Sequence, residues 1–210
     1  MGIILITGGA RSGKSTFAQK MAGEKAIGLE KKKSVIYVAT ALIGDEEMQR
    51  RVEIHRRSRP PDWMTIEEPY HLDRVLDELP SSEQVVLIDC LTVWLTNLLF
   101  LYMEKSGISW SNKKDNWSLE ENLWHEKAAT LQEEALEKYI FTQVEQLLEK
   151  AGQVHGTVIL VSNEVGWGVV PEHYLGRLFR DLAGKANQRI ATRADEVHLV
   201  VAGIPLKIRG

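Results

Sequence analysis

Cysteine is almost missing from this sequence: Cys90 is the only one in 210 residues. An internal disulfide is excluded, and a metal cluster built on thiolates is disfavoured. A reducing compartment, the cytoplasm, is the expectation. A positive excess is missing too, since 26 Lys and Arg face 29 Asp and Glu for a formal net charge of -3. No overall field gathers nucleic acid without sequence preference, so the expected ligands are small molecules. Also lacking is an unbroken apolar run long enough for a bilayer. Val85 to Met103 comes nearest, but Asp89, Thr92, Thr96 and Asn97 interrupt it, and a charge there is costly in lipid. The stretch reads instead as a buried strand, Val85 to Ile88, followed by an amphipathic helix from near Thr92. Met1 to Thr7 is apolar yet runs straight into glycines, with no basic leader and no cleavage site, so a signal peptide is not expected. Repeats and low-complexity segments are absent.

What is present has an α/β rhythm. Aliphatic and β-branched runs recur at Ile3–Thr7, Val35–Ala39, Val85–Ile88, Val158–Val161 and Val197–Val201, separated by helical patterns. That alternation predicts a mostly parallel sheet with helices on both faces. The first helix is expected from near Gly13, through Phe17, Ala18 and Met21, and a last crossover helix behind Pro171, with Leu175, Leu178, Phe179, Leu182 and Ala186 as its apolar stripe. Residues 1–210 read as a single domain carrying an excursion at about 102–151. The excursion is polar and Trp-rich from Tyr102 to about Glu121, then an acidic helix runs to about Ala151. Trp110, Trp117 and Trp124 recur every seven residues there and are expected to pack a lid or a subunit contact.

One motif carries chemistry by itself. Gly8-Gly9-Ala10-Arg11-Ser12-Gly13-Lys14-Ser15 matches G-x-x-x-x-G-K-[ST], directly after a strand and before a helix, which is the context a P-loop requires. Glycines let backbone N–H groups turn inward onto phosphate oxygens, Lys14 offsets charge on the β and γ phosphates, and the Ser15 hydroxyl can ligate Mg²⁺. The fold class expected is therefore α/β and P-loop NTPase-like. Asp89, at the end of its hydrophobic strand, is the partner carboxylate for the metal, although strand ends also carry Asp as a helix cap. Asn112-Lys113-Lys114-Asp115 matches the guanine-reading N-K-x-D, but no strand precedes it to aim it at a base, so it is set aside as coincidence.

A second cluster surrounds His55. Arg50, Arg51, Arg56, Arg57 and Arg59 flank it in a segment with helical character. Such a cationic neighbourhood favours the neutral imidazole, whose ring nitrogen is a nucleophile, and the arginines suit charge on a phosphorus under substitution. Composition alone reads it as a basic surface helix.

The ordered set of motifs says more. The P-loop, Tyr37-Val38-Ala39-Thr40-Ala41, Asp45-Glu46-Glu47-Met48 with His55-Arg56-Arg57-Ser58-Arg59-Pro60, and Asp89-Cys90-Leu91-Thr92 with Thr96-Asn97-Leu98-Leu99 belong together. So do Val161 to Pro171, Phe179 to Gly184 and Asn187-Gln188-Arg189. In combination they resemble the bifunctional adenosylcobinamide kinase/adenosylcobinamide-phosphate guanylyltransferase family of cobalamin biosynthesis, across roughly residues 1–100 and 156–210. The resemblance implies two reactions: ATP or GTP phosphorylates the aminopropanol hydroxyl of adenosylcobinamide, then GTP donates GMP to that phosphate, releasing pyrophosphate. It implies that a histidine, His55 by motif position, carries the GMP as a phosphoramidate. It implies GTP contacts at Thr40, Ala41 and Leu42, at Arg56, Arg57, Ser58 and Arg59, at Glu67 and at Asp89. Glu67 or Asp89 could accept from guanine N1–H and the exocyclic amine, and the residues do not separate base reading from metal binding. Asn187 and the Glu164 region fall in matched segments, with a structural or a substrate-side role. A homo-oligomer is implied, with a trimer as its expected form. The Trp-rich part of the excursion, Tyr102 to about Leu136, reads as longer and more polar than the family's, so no functional residue is carried onto it. No residue identifies the general base of the kinase. The competing readings are a P-loop kinase of a small metabolite, which would not need His55, and a regulatory nucleotide switch.

Overall fold

In the computed structural model, residues 2–29, 34–42, 50, 56, 59–107 and 119–210 are described, with side chains omitted over 119–130. Seven strands form one sheet in the order β3-β2-β4-β5-β1-β6-β7. They are β1 (Gly2–Gly8), β2 (Val35–Ala39), β3 (Met64–Glu67), β4 (Gln84–Asp89), β5 (Gly156–Val161), β6 (Glu196–Val201) and β7 (Ile204–Arg209). The first six are parallel, and β7 turns back antiparallel against β6. The helices are α1 (Lys14–Lys25), α2 (Leu72–Asp77), α3 (Leu91–Ser106), α4 (Leu119–Gln153) and α5 (Tyr174–Arg193).

Alternation along the strands sorts the core into two faces. Ile4, Ile6, Val35, Tyr37, Val85, Leu87, Ile159 and Val161 point to one side, where Ala18, Met21 and Ala22 of α1 cover them. Ile3, Leu5, Ile36, Val38, Val86, Ile88, Val158 and Leu160 point to the other, beneath α2, α3, α4 and α5. Helices therefore lie on both faces, as expected. The span Val85 to Met103 is β4, Cys90 and most of α3, and no helix among the described residues is long and apolar enough to cross a membrane.

The five expected strands are all present. Two more were not foreseen, β3 and β7, both at sheet edges. Residues Tyr102–Ser106, read from sequence as the start of the polar excursion, continue α3, and Tyr102 stacks near Tyr139 of α4 at 5.2 Å between centroids. The acidic helix of the excursion is α4, whose Leu136, Ile140, Val144 and Leu147 enter the core. Its last crossover counterpart, α5, begins at Tyr174, three residues beyond Pro171.

Candidate nucleotide site

All six parallel strands end at one edge of the sheet, and in such sheets ligands bind outside those carboxyl ends. β1 delivers Gly8 into the P-loop. Gly8 takes φ 157°, and a Cβ there would meet the Val200 carbonyl and stand 2.8 Å from Ser12 Oγ. Gly13, at φ 92°, caps α1 with left-handed backbone and lies where a Cβ would come within 3.2 Å of Gly203 Cα. Side chains larger than hydrogen are thus excluded at both positions. The loop is tied down by Ser12 N donating to Gly9 O (3.2 Å), Glu164 N to Gly8 O (3.1 Å) and Gly203 N to Ser12 O (2.8 Å). Lys14 folds back over it and donates to the Gly9 carbonyl at 3.1 Å. Burial lowers the Lys14 pKa from its ordinary value, opposed by Cys90 and Asp89. A buried ammonium on a glycine loop at a helix N-terminus is a seat for phosphate.

A cavity of about 590 Å³ opens over this loop. Ala10, Arg11, Gly13, Lys14 and Ser15 form its floor, and Thr40, Ala41, Arg59, Glu67 and Asp89 contribute from four other segments. Parallel register explains the gathering: Ala39 pairs with Asp89 and with Glu67, so three strand ends finish level. Asp89 accepts a hydrogen bond from Tyr37 Oη at 2.9 Å, and the Arg59 guanidinium lies 3.6 Å above the Tyr37 ring. Burial, then the Asp89 charge, raises the Tyr37 pKa, so the phenol stays a donor. Thr40 is fully buried, its Oγ1 donating to Cys90 O (2.8 Å) and accepting from Cys90 N (3.0 Å). Asn97 of α3 secures the same turn by donating to Thr40 O (2.8 Å) and Pro69 O (3.1 Å). The two adjacent glutamates part company: Glu67 lines the cavity, whereas Glu68 accepts from Tyr70 N (2.8 Å) and His71 N (2.9 Å) at the start of α2. Arg56 Nη1 stands 4.0 Å from Glu67 Oε1.

Gly8, Gly9, Ser12, Leu42 and Arg56 do not line the cavity, and Leu42 is exposed. His55, Arg57 and Ser58 lie outside the described residues, as do Trp110, Trp117, Asn112-Lys113-Lys114-Asp115 and the Asp45 to Met48 segment; the Trp124 side chain is likewise not described. Tyr37, Cys90 and Val93 line the cavity without having been singled out as contacts, and Asn163, from the Glu164 region given a structural or substrate-side role, lines it as well. The Ser12 hydroxyl and Arg59 Nε are buried without a hydrogen-bond partner among the described residues, two polar atoms suited to a phosphorylated ligand. A slightly larger cavity, about 620 Å³, runs along α4 beside Arg189 of α5, but Glu134, Glu137, Glu145 and Glu149 make it hostile to phosphate.

Comparison with known proteins joins these observations. The family described as cobinamide kinase / cobinamide phosphate guanyltransferase matches residues 4–208. The chain belongs to that family. It is 39% identical over 207 residues to the bifunctional adenosylcobalamin biosynthesis protein CobU of Escherichia coli K12, covering 99% of both chains. With the bifunctional protein CobP of Pseudomonas aeruginosa it shares 39% identity over 206 residues, 98% of this chain and 96% of that one. The family match runs through residues 102–151, so it extends beyond the two blocks that carried the resemblance. Among solved structures, an ATPase of a bacterial type III secretion system is similar at TM-score 0.51 and 12% identity. This chain is covered to 98% and spans 57% of that ATPase, a likeness of P-loop fold alone.

Proposed function

We propose that the protein phosphorylates adenosylcobinamide with ATP or GTP and then transfers GMP from GTP to the new phosphate, giving adenosylcobinamide-GDP and pyrophosphate. The observation that carries this reading is the single cavity shared by the P-loop, the Thr40-Ala41 turn, Arg59, Glu67 and Asp89, segments far apart in sequence, in a chain of this family. In the first step the acceptor hydroxyl oxygen bonds to the γ-phosphorus and the nucleoside diphosphate leaves. Lys14 and the loop N–H groups hold the phosphates in line and offset their charge. In the second, a ring nitrogen of His55 attacks the α-phosphorus of GTP and expels pyrophosphate, and the acceptor phosphate then displaces the histidine. Arg56, Arg57, Ser58 and Arg59 accompany the nucleophile, and Glu67 or Asp89 reads the guanine. Ser15 and Asp89 both line the cavity, a hydroxyl and a carboxylate suited to Mg²⁺, which would offset phosphate charge when bound. No cluster of three or more metal-ligating side chains occurs among the described residues, consistent with an ion that takes its remaining ligands from phosphate and water. We further infer that residues 1–210 act as one domain in the cytoplasm. A homo-oligomer, with a trimer as the form the family implies, is supported by the exposed Ile204, Leu206 and Ile208 on one face of β7; sedimentation velocity tests it.

The test of the two-step chemistry is covalent labelling. Incubation with α-labelled GTP and Mg²⁺ is expected to leave acid-labile, alkali-stable label on the protein, and γ-labelled GTP none. His55→Ala and His55→Asn should abolish label and GMP transfer while adenosylcobinamide is still phosphorylated. Label that persists in these variants would move the nucleophile, and an active wild type that takes no label would leave a simple kinase.

A further inference from the structure

At the end of β5 the chain forms a partition between two cavities. Asn163 lines the nucleotide cavity, and the next residue, Glu164, lines a second cavity of about 550 Å³ with Val165, Trp167, Leu178, Arg180 and Lys185. The partition is fixed in place. Asn163 N donates to Thr92 Oγ1 at 2.8 Å, Asn163 O accepts from Asn187 Nδ2 at 3.1 Å, and Glu164 N donates to Gly8 O at 3.1 Å. One carboxylate oxygen of Glu164 is committed as well: Oε1 accepts from Thr7 Oγ1 (2.6 Å) and Asn187 Nδ2 (3.1 Å). Asn187 is held in turn by Ser162 Oγ donating to its Oδ1 at 2.6 Å. The other oxygen, Oε2, has no hydrogen-bond partner among the described residues. The carboxylate is thus clamped on one side, by Thr7 of β1 and Asn187 of α5, and open on the other.

The loop beyond it is unusual for an exposed segment. Trp167, Val169 and Val170 are 62%, 94% and 59% exposed, and Trp167 lines the second cavity. Exposed apolar surface beside a polar cleft is a binding feature. An extended amphipathic alcohol, with a large ring to lay on Trp167 and uncharged polar arms to meet the Arg180–Asp181 and Lys185–Glu137 pairs, suits both halves of it.

We propose that this second cavity takes the acceptor of the kinase step, with Trp167 under its ring system and Glu164 Oε2 receiving the proton of its hydroxyl. The inference rests on the kinase reading given above. As the substrate oxygen bonds to the γ-phosphorus and the bond from that phosphorus to the β–γ bridging oxygen breaks, the hydroxyl proton passes to Glu164 and then to solvent, and the nucleoside diphosphate departs. The clamp on Oε1 leaves Oε2 unengaged in the second cavity, one residue from Asn163, which lines the nucleotide cavity.

The isosteric Glu164→Gln separates this role from bracing, because a glutamine oxygen can still accept from Thr7 and Asn187. Steady-state kinetics with cobinamide and ATP should show kcat reduced about 100-fold or more, as for loss of a general base, with KM for ATP unchanged. GMP loading from α-labelled GTP without acceptor, which uses no hydroxyl, controls for folding and nucleotide binding. Glu164→Asp should recover part of the lost kcat. Trp167→Ala should raise KM for cobinamide about tenfold or more and leave KM for ATP alone. Kinase turnover within threefold of wild type in Glu164→Gln would overturn the proton-accepting role. An unchanged cobinamide KM in Trp167→Ala would overturn the cavity. A wild type that loads GMP but never phosphorylates cobinamide would sink the kinase reading instead.

Discussion

Lys14 donates to the Gly9 carbonyl, so the loop lends its ammonium one partner until phosphate supplies better ones. Removing it by Lys14→Ala should cut kcat/KM of both half-reactions about 100-fold or more, the scale of losing a preorganised charge contact in a transition state; steady-state assays of each half read this. The burial that lowers the Lys14 pKa also has a sign. Its folded value lies below the unfolded value near 10.5, so the cost of holding the charge is full at neutral pH and is relieved as pH rises through that window. Phosphate restores the charged form. Nucleotide binding in the same alkaline window should therefore take up protons, visible by calorimetry in buffers of different ionisation enthalpy, and Lys14→Met should remove the uptake. Cys90 behaves oppositely: burial first, and then Asp89, push its thiol up to about 11. Iodoacetamide should modify the folded protein slowly at pH 8 and quickly after denaturation.

Helix α3 does more than cover the sheet, because Asn97 holds two carbonyls that no other described side chain satisfies. Asn97→Ala should cost about 1–3 kcal/mol in urea unfolding and weaken GTP binding as the Thr40 turn loosens. At the start of β5, Gly156 has φ 142° and its absent Cβ would run into the Gln84 backbone. Gly156→Ala should destabilise by about 1–3 kcal/mol or more, without touching the site. Elements were legible where burial is two-sided. β1, β2, β4 and β5 are continuous apolar runs because helices cover both faces. β3 is four residues of mixed exposure, and β7 carries Pro205 and exposed side chains throughout, so neither prints a burial pattern. Proline marks β7 as an edge, where an N–H can be spared. The P-loop was legible because its chemistry is contiguous. Tyr37 was not, since its approach to the cavity arises from register between strands, whereas Asn163 was legible as part of a strand end at the ligand edge, although its clamp by Thr92 and Asn187 was not.

The whole molecule places its first strand in the middle. β1 lies between β5 and β6, and the phosphate loop it carries is fastened to both neighbours, through Glu164 N to Gly8 O on one side and Gly203 N to Ser12 O on the other. Gly203 sits at φ 81° in the turn between β6 and β7. Gly203→Val should strain that turn and raise Kd for GTP severalfold although residue 203 does not line the nucleotide cavity; fluorescence titration with a labelled nucleotide would show it. The same fastening orders events during synthesis. The glycine loop leaves the ribosome well before the strands that shape it, β5 and β6, and contacts so distant in sequence form late. A nascent chain stalled before β6 emerges carries the full P-loop motif and should not be retained on immobilised GTP, whereas one released past β7 should.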